Sequence, residues 1–207
     1  MRKWMWIGAG AGAAAAIAVF ALPVGAEQRL GSVATDFSAR DADGKVVKLS
    51  DFRGKTVVLE WNNPGCPFVQ KHYNSGNMQK TQAAATAQGV VWLTINSGAP
   101  GMQGYMNGPE AKQFVASMKA HPSDYLLDPQ GLVGKAYGAK TTPHMYIIDG
   151  SGKLLYQGGI DDRPTADLAD AAKAKNYVLT ALGEMKAGKP ISSPETRPYG
   201  CTVKYAA

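Results

Sequence analysis

Two short apolar runs, separated by a segment long enough for a helix, constrain the fold of this chain more than any other feature. Residues 55–61, KTVVLEW, and 90–96, VVWLTIN, are rich in β-branched residues, and each is too short for a core helix, so each predicts a buried strand. Between them, Pro67 stands where the first turn of a helix tolerates proline. We expect a helix from there to about Gln88, broken at 74–76, and therefore a parallel βαβ unit.

The rest of the chain predicts further strands and helices around this unit. The turn signals DADG within 36–50 and GSG at 150–152 predict two hairpins. Residues 97–109 predict a glycine-rich loop, and residues 165–187 predict one alanine-rich helix. The tail, 188–207, predicts an extended strap over the domain. This pattern indicates an α/β sandwich with a mixed central sheet and helices on both faces.

The first 26 residues have the order of a secretory signal peptide. Arg2 and Lys3 form a basic start, residues 4–22 are apolar, and residues 24–26, VGA, are small enough for cleavage. We therefore expect residues 27–207 to form one exported domain, secreted across the inner membrane to the periplasm and not embedded in a membrane. An uncleaved anchor is the alternative, because the apolar stretch approaches the length of a membrane span.

The charge pattern and the loops exclude several classes of partner. Lys and Arg number 22 against 16 Asp and Glu, but they are scattered, without a basic run or interleaved aromatic residues, so no nucleic acid is expected as a partner. No glycine-rich phosphate loop follows a strand, and no flavin, haem or nucleotide site is visible. We therefore predict no cofactor.

The two cysteines, Cys66 and Cys201, both lie in the part of the chain expected to be exported, where a pair most simply forms one disulfide. Cys66 follows a strand and opens a helix, so backbone N–H groups and the positive end of the helix dipole face its sulfur. That placement favours the thiolate and predicts an exposed, reactive cysteine. The alternative is a buried, inert cysteine.

Pro143 directly precedes the apolar run 144–149, and a proline there cannot donate to a sheet. A cis Thr142–Pro143 bond would suit this position. His144, which follows it, is a candidate copper ligand beside Cys66, because thiolate and imidazole both suit Cu(I). A histidine in the strand or at its rim is the alternative, and we predict no resident metal.

At this point the motifs resemble a known family. The order VVLEWNNPGCP, βαβ unit, TTPHMYIID, hairpin and final helix resembles the thioredoxin fold. It is more closely similar to the redoxin group related to alkyl hydroperoxide reductase and thiol-specific antioxidant proteins, in its peroxiredoxin-like branch. The motifs CPFVQKHY, TTPHMYIID and SPETRPYGCTVKY carry this resemblance over about residues 28–205.

The resemblance implies a role for each matching residue. Cys66 takes the position of the attacking thiol, and Pro143 that of the cis-proline beside it. Thr142 would offer its backbone to a bound substrate strand. Glu60 stands where thioredoxins keep a buried acid that handles protons, with a solvated strand-end residue as the alternative. Trp61 is expected in the core or as a wall of the substrate site, which would also include Pro67.

Three positions depart from the patterns of this group. Val69 stands where thioredoxins have the second cysteine of Cys-x-x-Cys, so a neighbouring resolving cysteine is missing. Leu59 and Asn63 stand where peroxiredoxins have a proline and a threonine or serine, which counts against a peroxidase. Cys201 is the natural resolver if the strap folds back across Cys66.

The predicted function is an exported thiol–disulfide oxidoreductase. Cys66 would attack a protein or small-molecule disulfide, Cys201 would resolve the mixed disulfide, and an external thiol reductant would reset the pair. One alternative is a peroxiredoxin-like thiol peroxidase acting on a peroxide, in which Cys66 becomes a sulfenic acid that Cys201 captures. The other is a non-catalytic peptide- or copper-binding module with a permanent Cys66–Cys201 disulfide.

Overall fold

The computed structural model describes residues 28–206, so the expected signal peptide, residues 1–26, lies outside the described part of the chain. In this described part, seven strands form one mixed sheet and two more form a short ribbon. The strands are β1 (Ser38–Asp41), β2 (Val46–Lys48), β3 (Val57–Trp61), β4 (Val91–Asn96), β5 (Asp124–Leu127), β6 (Thr141–Thr142), β7 (His144–Ile148), β8 (Leu154–Gly158) and β9 (Cys201–Thr202).

Within residues 28–206, six α-helices and one 3₁₀ turn (Leu49–Phe52) accompany these strands. The helices are α1 (Pro67–Asn74), α2 (Asn77–Thr86), α3 (Gly108–Ser117), α4 (Leu132–Ala136), α5 (Leu168–Ala171) and α6 (Tyr177–Lys186). None of the helices within residues 28–206 is long and apolar enough to cross a membrane.

The sheet has the order β2-β1-β5-β4-β3-β7-β8. β3 and β4 are parallel, with Val57 opposite Val91, and α1 and α2 connect them, which confirms the predicted βαβ unit. β7 lies antiparallel to β3, and β8 lies antiparallel to β7, which confirms the later hairpin. β1 and β2 form the earlier one. The chain therefore has the predicted thioredoxin-like α/β sandwich.

Every residue of β3 and β4 is buried, because side chains pack against both faces of the sheet. Alternate residues of β3 therefore enter two different cores. Val58 belongs to the core that also contains Cys66, whereas Leu59 and Trp61 belong to the core on the other face. Neighbouring residues of β3 therefore point to opposite faces of the sheet.

The structure divides the predicted helix at 165–187 into α5 and α6, so the prediction of one helix is wrong. The side chain of Asn176 accepts a hydrogen bond from the Leu179 amide and caps the start of α6. An asparagine side chain that bonds to a backbone amide two or three residues later starts a new helix at that point, and this conformation is incompatible with one continuous helix through the asparagine. At 74–76 the predicted break is present, where Gly76 has a φ of 73°.

The strap, residues 188–206, crosses the end of the sheet as extended chain. It first joins β8, where the Gln157 amide donates to the Pro194 carbonyl and the Thr196 amide donates to the Gln157 carbonyl. Further along, β9 pairs with β6, and the Lys204 carbonyl accepts a hydrogen bond from the Ala99 amide. These bonds hold the strap over the turn that carries Cys66.

Candidate active site

Cys66 lies at the turn between β3 and α1 and precedes the first helical residue. Its backbone is extended, with φ −83° and ψ 123°, and Pro67 occupies the exposed first position of α1. The Cys66 side chain is 0% exposed, so the prediction of an exposed Cys66 is wrong. The strap covers it, since Cys201 lies against the sulfur.

Groups from two segments, β6 and the strap, contact the Cys66 sulfur. Its thiol donates a hydrogen bond to the Thr142 carbonyl at 3.1 Å, and the Cys201 backbone amide donates to the sulfur at 3.4 Å. The two cysteine side chains are also hydrogen-bonded to each other, and both are free thiols. The structure therefore brings together the two cysteines that the sequence separates by most of the chain.

The environment makes these two thiols unequal in acidity. Burial raises the pKa of the Cys66 thiol, but hydrogen bonds from the side chains of Cys201 and Thr142 outweigh it. The backbone amides of Val69 and Cys201 add to this effect, so the pKa of Cys66 lies below its ordinary value of 9.0. Burial and the neighbouring Cys66 raise the pKa of Cys201 to about 11. Cys66 is therefore the better nucleophile of the pair.

The Thr142–Pro143 peptide bond is cis, as predicted, and both residues are buried. Thr142 lies opposite Cys201 in the antiparallel pair of β6 and β9. Gly200 lies so close to Thr142 that a Cβ atom added to Gly200 would lie 2.0 Å from the Thr142 carbonyl oxygen. The φ angle of Gly200 is 132°. The strap therefore occupies the backbone edge that the resemblance assigns to a substrate strand.

Glu60 is fully buried beneath α1 and α2. Five neutral groups donate hydrogen bonds to its carboxylate: the side chains of Asn62, Tyr73, Gln82, Trp92 and Thr94. Burial raises the pKa of Glu60 above its ordinary value of 4.5, although these donors act in the opposite direction. Glu60 is on the same face of the sheet as Cys66, but its hydrogen bonds go to these five residues and not to the thiol.

Trp61 does not form a wall of the thiol site. It is fully buried in the core on the opposite face of the sheet, and its indole N–H donates to the Ser97 hydroxyl at 3.0 Å. The prediction that Trp61 contributes to substrate binding is wrong, because alternation along β3 turns it away from Cys66. Val69, where a second cysteine would stand in a thioredoxin, is a buried core residue.

The side chains at the two positions that depart from the peroxiredoxin pattern are engaged elsewhere. Leu59 is in the opposite core. The Asn63 side chain donates to the Gln103 carbonyl at 3.2 Å and accepts from the Gly65 amide at 2.9 Å. The Asn63 side chain therefore fastens the glycine-rich loop to the Cys66 turn.

His144 follows the cis-proline but is engaged elsewhere. Its Nδ1 accepts a hydrogen bond from the Lys140 amide at 3.3 Å and contacts the Tyr146 hydroxyl at 3.2 Å. Burial and Lys140 lower the pKa of His144 to about 3. Across residues 28–206, no group of three or more His, Cys, Asp or Glu side chains is placed to hold a metal ion.

Four residues near the strap were missed by the sequence analysis. Lys71 and His72 on α1, Asp161 after β8 and Tyr199 in the strap form a polar cluster beside the thiols. The one available signal was the spacing RPYGC, which places Tyr199 two residues before Cys201. Nothing in the local sequence indicates that Lys71 is buried.

The sequence model of the AhpC/TSA family matches residues 30–157. The chain is 29% identical to the thiol-disulfide oxidoreductase ResA of Geobacillus thermodenitrificans over 125 residues, 60% of this chain and 66% of that protein. It is 26% identical to the chloroplastic peroxiredoxin Q of Triticum aestivum over 156 residues, 69% of this chain and 64% of that protein. The match thus spans just under two thirds of each relative.

Among solved structures, the chain is similar to an uncharacterized conserved protein from Geobacillus kaustophilus. The TM-score is 0.75 at 26% sequence identity, covering 86% of this chain and 93% of that one. The similarity therefore extends beyond residue 157, into the part of the chain that the family match does not reach.

Proposed function

The chain belongs to the AhpC/TSA family, and from this premise we propose that it is an exported thiol–disulfide oxidoreductase with Cys66 as nucleophile and Cys201 as resolving cysteine. One observation carries the proposal: the Cys66 sulfur accepts hydrogen bonds from both the thiol and the backbone amide of Cys201, at 3.4 Å for the amide. The more acidic thiol and the resolving thiol are thus already side by side.

The proposed reaction consists of two exchanges. The Cys66 thiolate attacks one sulfur of a substrate disulfide, forms a mixed disulfide and releases the other sulfur as a thiolate, which takes up a proton. Cys201 then loses its proton and attacks the Cys66 sulfur, which forms the Cys66–Cys201 disulfide and releases the second substrate thiolate. The substrate gains two electrons and two protons, and an external thiol reductant returns them to the pair.

The first exchange requires the strap to move, because Cys66 is fully buried. A cleft of about 550 Å³ lies beside the strap, lined among others by Phe68 of α1 and by Tyr199 and Gly200 of the strap. Displacement of β9 would expose the sulfur, the Thr142 carbonyl and Pro143 together. An extended substrate segment could then pair with β6 as β9 does now.

Glu60 is proposed as the buried acid that supplies or accepts protons during exchange. Its raised pKa and its position on the Cys66 face of the sheet support this role. Since its hydrogen bonds do not reach the thiol, we expect it to act through an intervening water when the strap is open. It would then be a proton relay and not a group that touches the substrate.

The localisation is proposed from the sequence pattern of residues 1–26, whose basic start, apolar stretch and VGA site support export to the periplasm and cleavage. Fractionation of cells that express the full chain, with determination of the amino terminus of the product, tests this. Cleavage near residue 26 in the periplasmic fraction is expected, and an intact chain in the membrane fraction would contradict it.

The catalytic proposal is tested by turnover with a small aromatic disulfide and dithiothreitol, using wild type, Cys66→Ser and Cys201→Ser. Cys66→Ser should abolish reduction. Cys201→Ser, incubated with the aromatic disulfide in the absence of dithiothreitol, should keep the mixed disulfide on Cys66, which mass spectrometry detects. Equal turnover by all three proteins would overturn the proposal. Peroxide consumption that depends on Cys66, without disulfide reduction, would instead identify a thiol peroxidase, in line with the similarity to the wheat peroxiredoxin Q.

A further inference from the structure

Three ionisable residues that the exchange reaction does not use are buried together beside the strap. Lys71 is 1% exposed, His72 0% and Asp161 2%. The Lys71 ammonium lies 3.6 Å from Asp161 Oδ2 and donates to the Arg163 carbonyl at 2.6 Å. Burying charged groups is costly, and such a pair is poor evidence for added stability. We therefore ask which neighbouring residue the cluster holds in place.

Tyr199 is the strap residue that this cluster holds. Its hydroxyl donates to Asp161 Oδ1 and lies 3.1 Å from His72 Nε2. Its ring packs edge-on against Phe68, with centroids 5.8 Å apart, and the Lys71 ammonium lies 5.5 Å from its centre. Tyr199 thereby joins the strap to α1, the helix that begins immediately after Cys66.

The protonation states of His72 and Tyr199 determine which group donates and which accepts in each hydrogen bond of the cluster. Burial, with a contribution from Lys71, lowers the pKa of His72 to about 3, so the ring is neutral. The Asn77 amide nitrogen lies 2.8 Å from His72 Nδ1, which places the ring proton on Nε2. The chain of donors then runs from His72 Nε2–H to the Tyr199 oxygen, and from the Tyr199 hydroxyl to Asp161.

The backbone between Tyr199 and Cys201 has little room to move. Gly200 lies against the Thr142 carbonyl, where even a methyl group would clash. One residue further, Cys201 pairs with Thr142 and its amide reaches the Cys66 sulfur. A fixed Tyr199 therefore fixes the place of the Cys201 thiol two residues later.

We propose that Tyr199 is a positioning residue, held by Asp161, His72 and Lys71, that keeps Cys201 against Cys66. The role rests on the proposed exchange function. The cluster acts as a latch: it concentrates the resolving thiol at the nucleophile, and it must release before a substrate disulfide reaches the sulfur. Loss of the latch should therefore favour the first exchange and slow the second.

Tyr199→Phe tests this, because it removes the hydroxyl and keeps the ring against Phe68. The variant and wild type are equilibrated in one glutathione buffer, and the ratio of Cys66–glutathione mixed disulfide to Cys66–Cys201 disulfide is measured by mass spectrometry. We expect the ratio to rise roughly tenfold, the size of effect that losing a hydrogen bond to a charged acceptor produces. Hydrogen exchange of the strap amides at 199–203 should accelerate.

A second readout reports on the Cys66 thiol itself. With the Cys201 contacts weakened, the midpoint pH for alkylation of Cys66 by iodoacetamide should rise towards that of an ordinary thiol. Tyr205→Phe is the matched control: it removes a hydroxyl on the same strap that donates to the Ala139 carbonyl at 2.8 Å. It should leave both the disulfide ratio and the midpoint pH unchanged.

Asp161→Asn removes the charged acceptor of the Tyr199 hydroxyl and keeps the shape of the side chain, and it keeps the test decisive if Tyr199→Phe is unstable. An unchanged disulfide ratio and midpoint pH in either folded variant would overturn the positioning role. That failure differs from failure of the proposed function, which Cys66→Ser reports. If turnover depends on Cys66 but Tyr199→Phe leaves the disulfide ratio and the midpoint pH unchanged, only the latch is rejected. If Tyr199→Phe changes both values but turnover does not depend on Cys66, only the exchange activity is rejected.

Discussion

Glu60 in β3 and Asp161 after β8 are both carboxylates with almost no exposed surface, yet their surroundings differ in charge and in origin. Glu60 accepts hydrogen bonds from five neutral side chains of β4, α1, α2 and the turn after β3. Asp161 instead faces the Lys71 ammonium at 3.6 Å and accepts from Tyr199 of the strap.

The difference indicates two uses of a buried acid. The donors around Glu60 belong to the interior of the βαβ unit, where none of them moves without disrupting the core. Asp161 joins α1 to a segment that lies outside the sheet and that must move for Cys66 to be reached. We therefore expect the charge pair to favour one arrangement of the two segments.

The largest expected effect comes from removing the cation beside Asp161. Lys71→Met leaves that carboxylate buried without its positive partner, which should lower the free energy of unfolding by roughly 3–5 kcal/mol. Urea denaturation at neutral pH measures it. Lys112→Met is the matched control, because its ion pair with Asp43 is exposed and should contribute only about 0–1 kcal/mol. Equal effects of the two substitutions would remove the distinction between a buried latch and a surface pair.

A smaller effect is expected from removing one donor to Glu60. Trp92→Phe removes the indole N–H that donates to Glu60 Oε2 at 2.8 Å, and losing a hydrogen bond to a charged acceptor costs about 1.5–3 kcal/mol. Trp61→Phe is the control, since that equally buried indole donates to the neutral Ser97 hydroxyl and should cost only about 0.5–1.5 kcal/mol through its hydrogen bond. Both are read from urea denaturation, and a larger loss for Trp61→Phe would contradict the ranking.

The smallest expected effect is a difference between wild type and Glu60→Gln in how the free energy of unfolding depends on pH. Because burial raises the pKa of Glu60, the folded protein holds this proton to higher pH than the unfolded chain does. Its stabilising contribution is fully present below the ordinary pKa of 4.5 and is lost as the pH rises through the folded pKa. Glu60→Gln has no such proton to lose. Its unfolding free energy relative to wild type, measured by urea denaturation at a series of pH values, should increase over that interval. Parallel curves of unfolding free energy against pH for the two proteins would show that Glu60 titrates as in the unfolded chain.

Local sequence patterns predicted most of the fold and the identity of the thiol pair. The β-branched runs, the GSG turn and Pro143 each act within a few residues, so the strands, the hairpin and the cis bond followed from them. The helix at 165–187 failed for the opposite reason: Asn176 resembles an interior residue in a helical pattern, and only its side-chain bond to the Leu179 amide shows that it is a cap.

Contacts between distant segments were not predictable in this way. The burial of Cys66 depends on Cys201, which is 135 positions later in the chain. Lys71 is a charged residue, of a type almost never fully buried unless it is paired, and its partner Asp161 comes from beyond β8. The latch therefore arises from the path of the strap, which the sequence indicates only as an extended tail.

The central claim is that Cys66 and Cys201 form a cycling pair, and its most direct test is a redox titration. The mature protein is equilibrated in defined glutathione buffers, and the Cys66–Cys201 peptide is quantified by mass spectrometry. We predict a disulfide that opens at potentials above about −250 mV, in the range of exchange enzymes. A bond that resists reduction below about −300 mV would show a permanent staple and contradict the account.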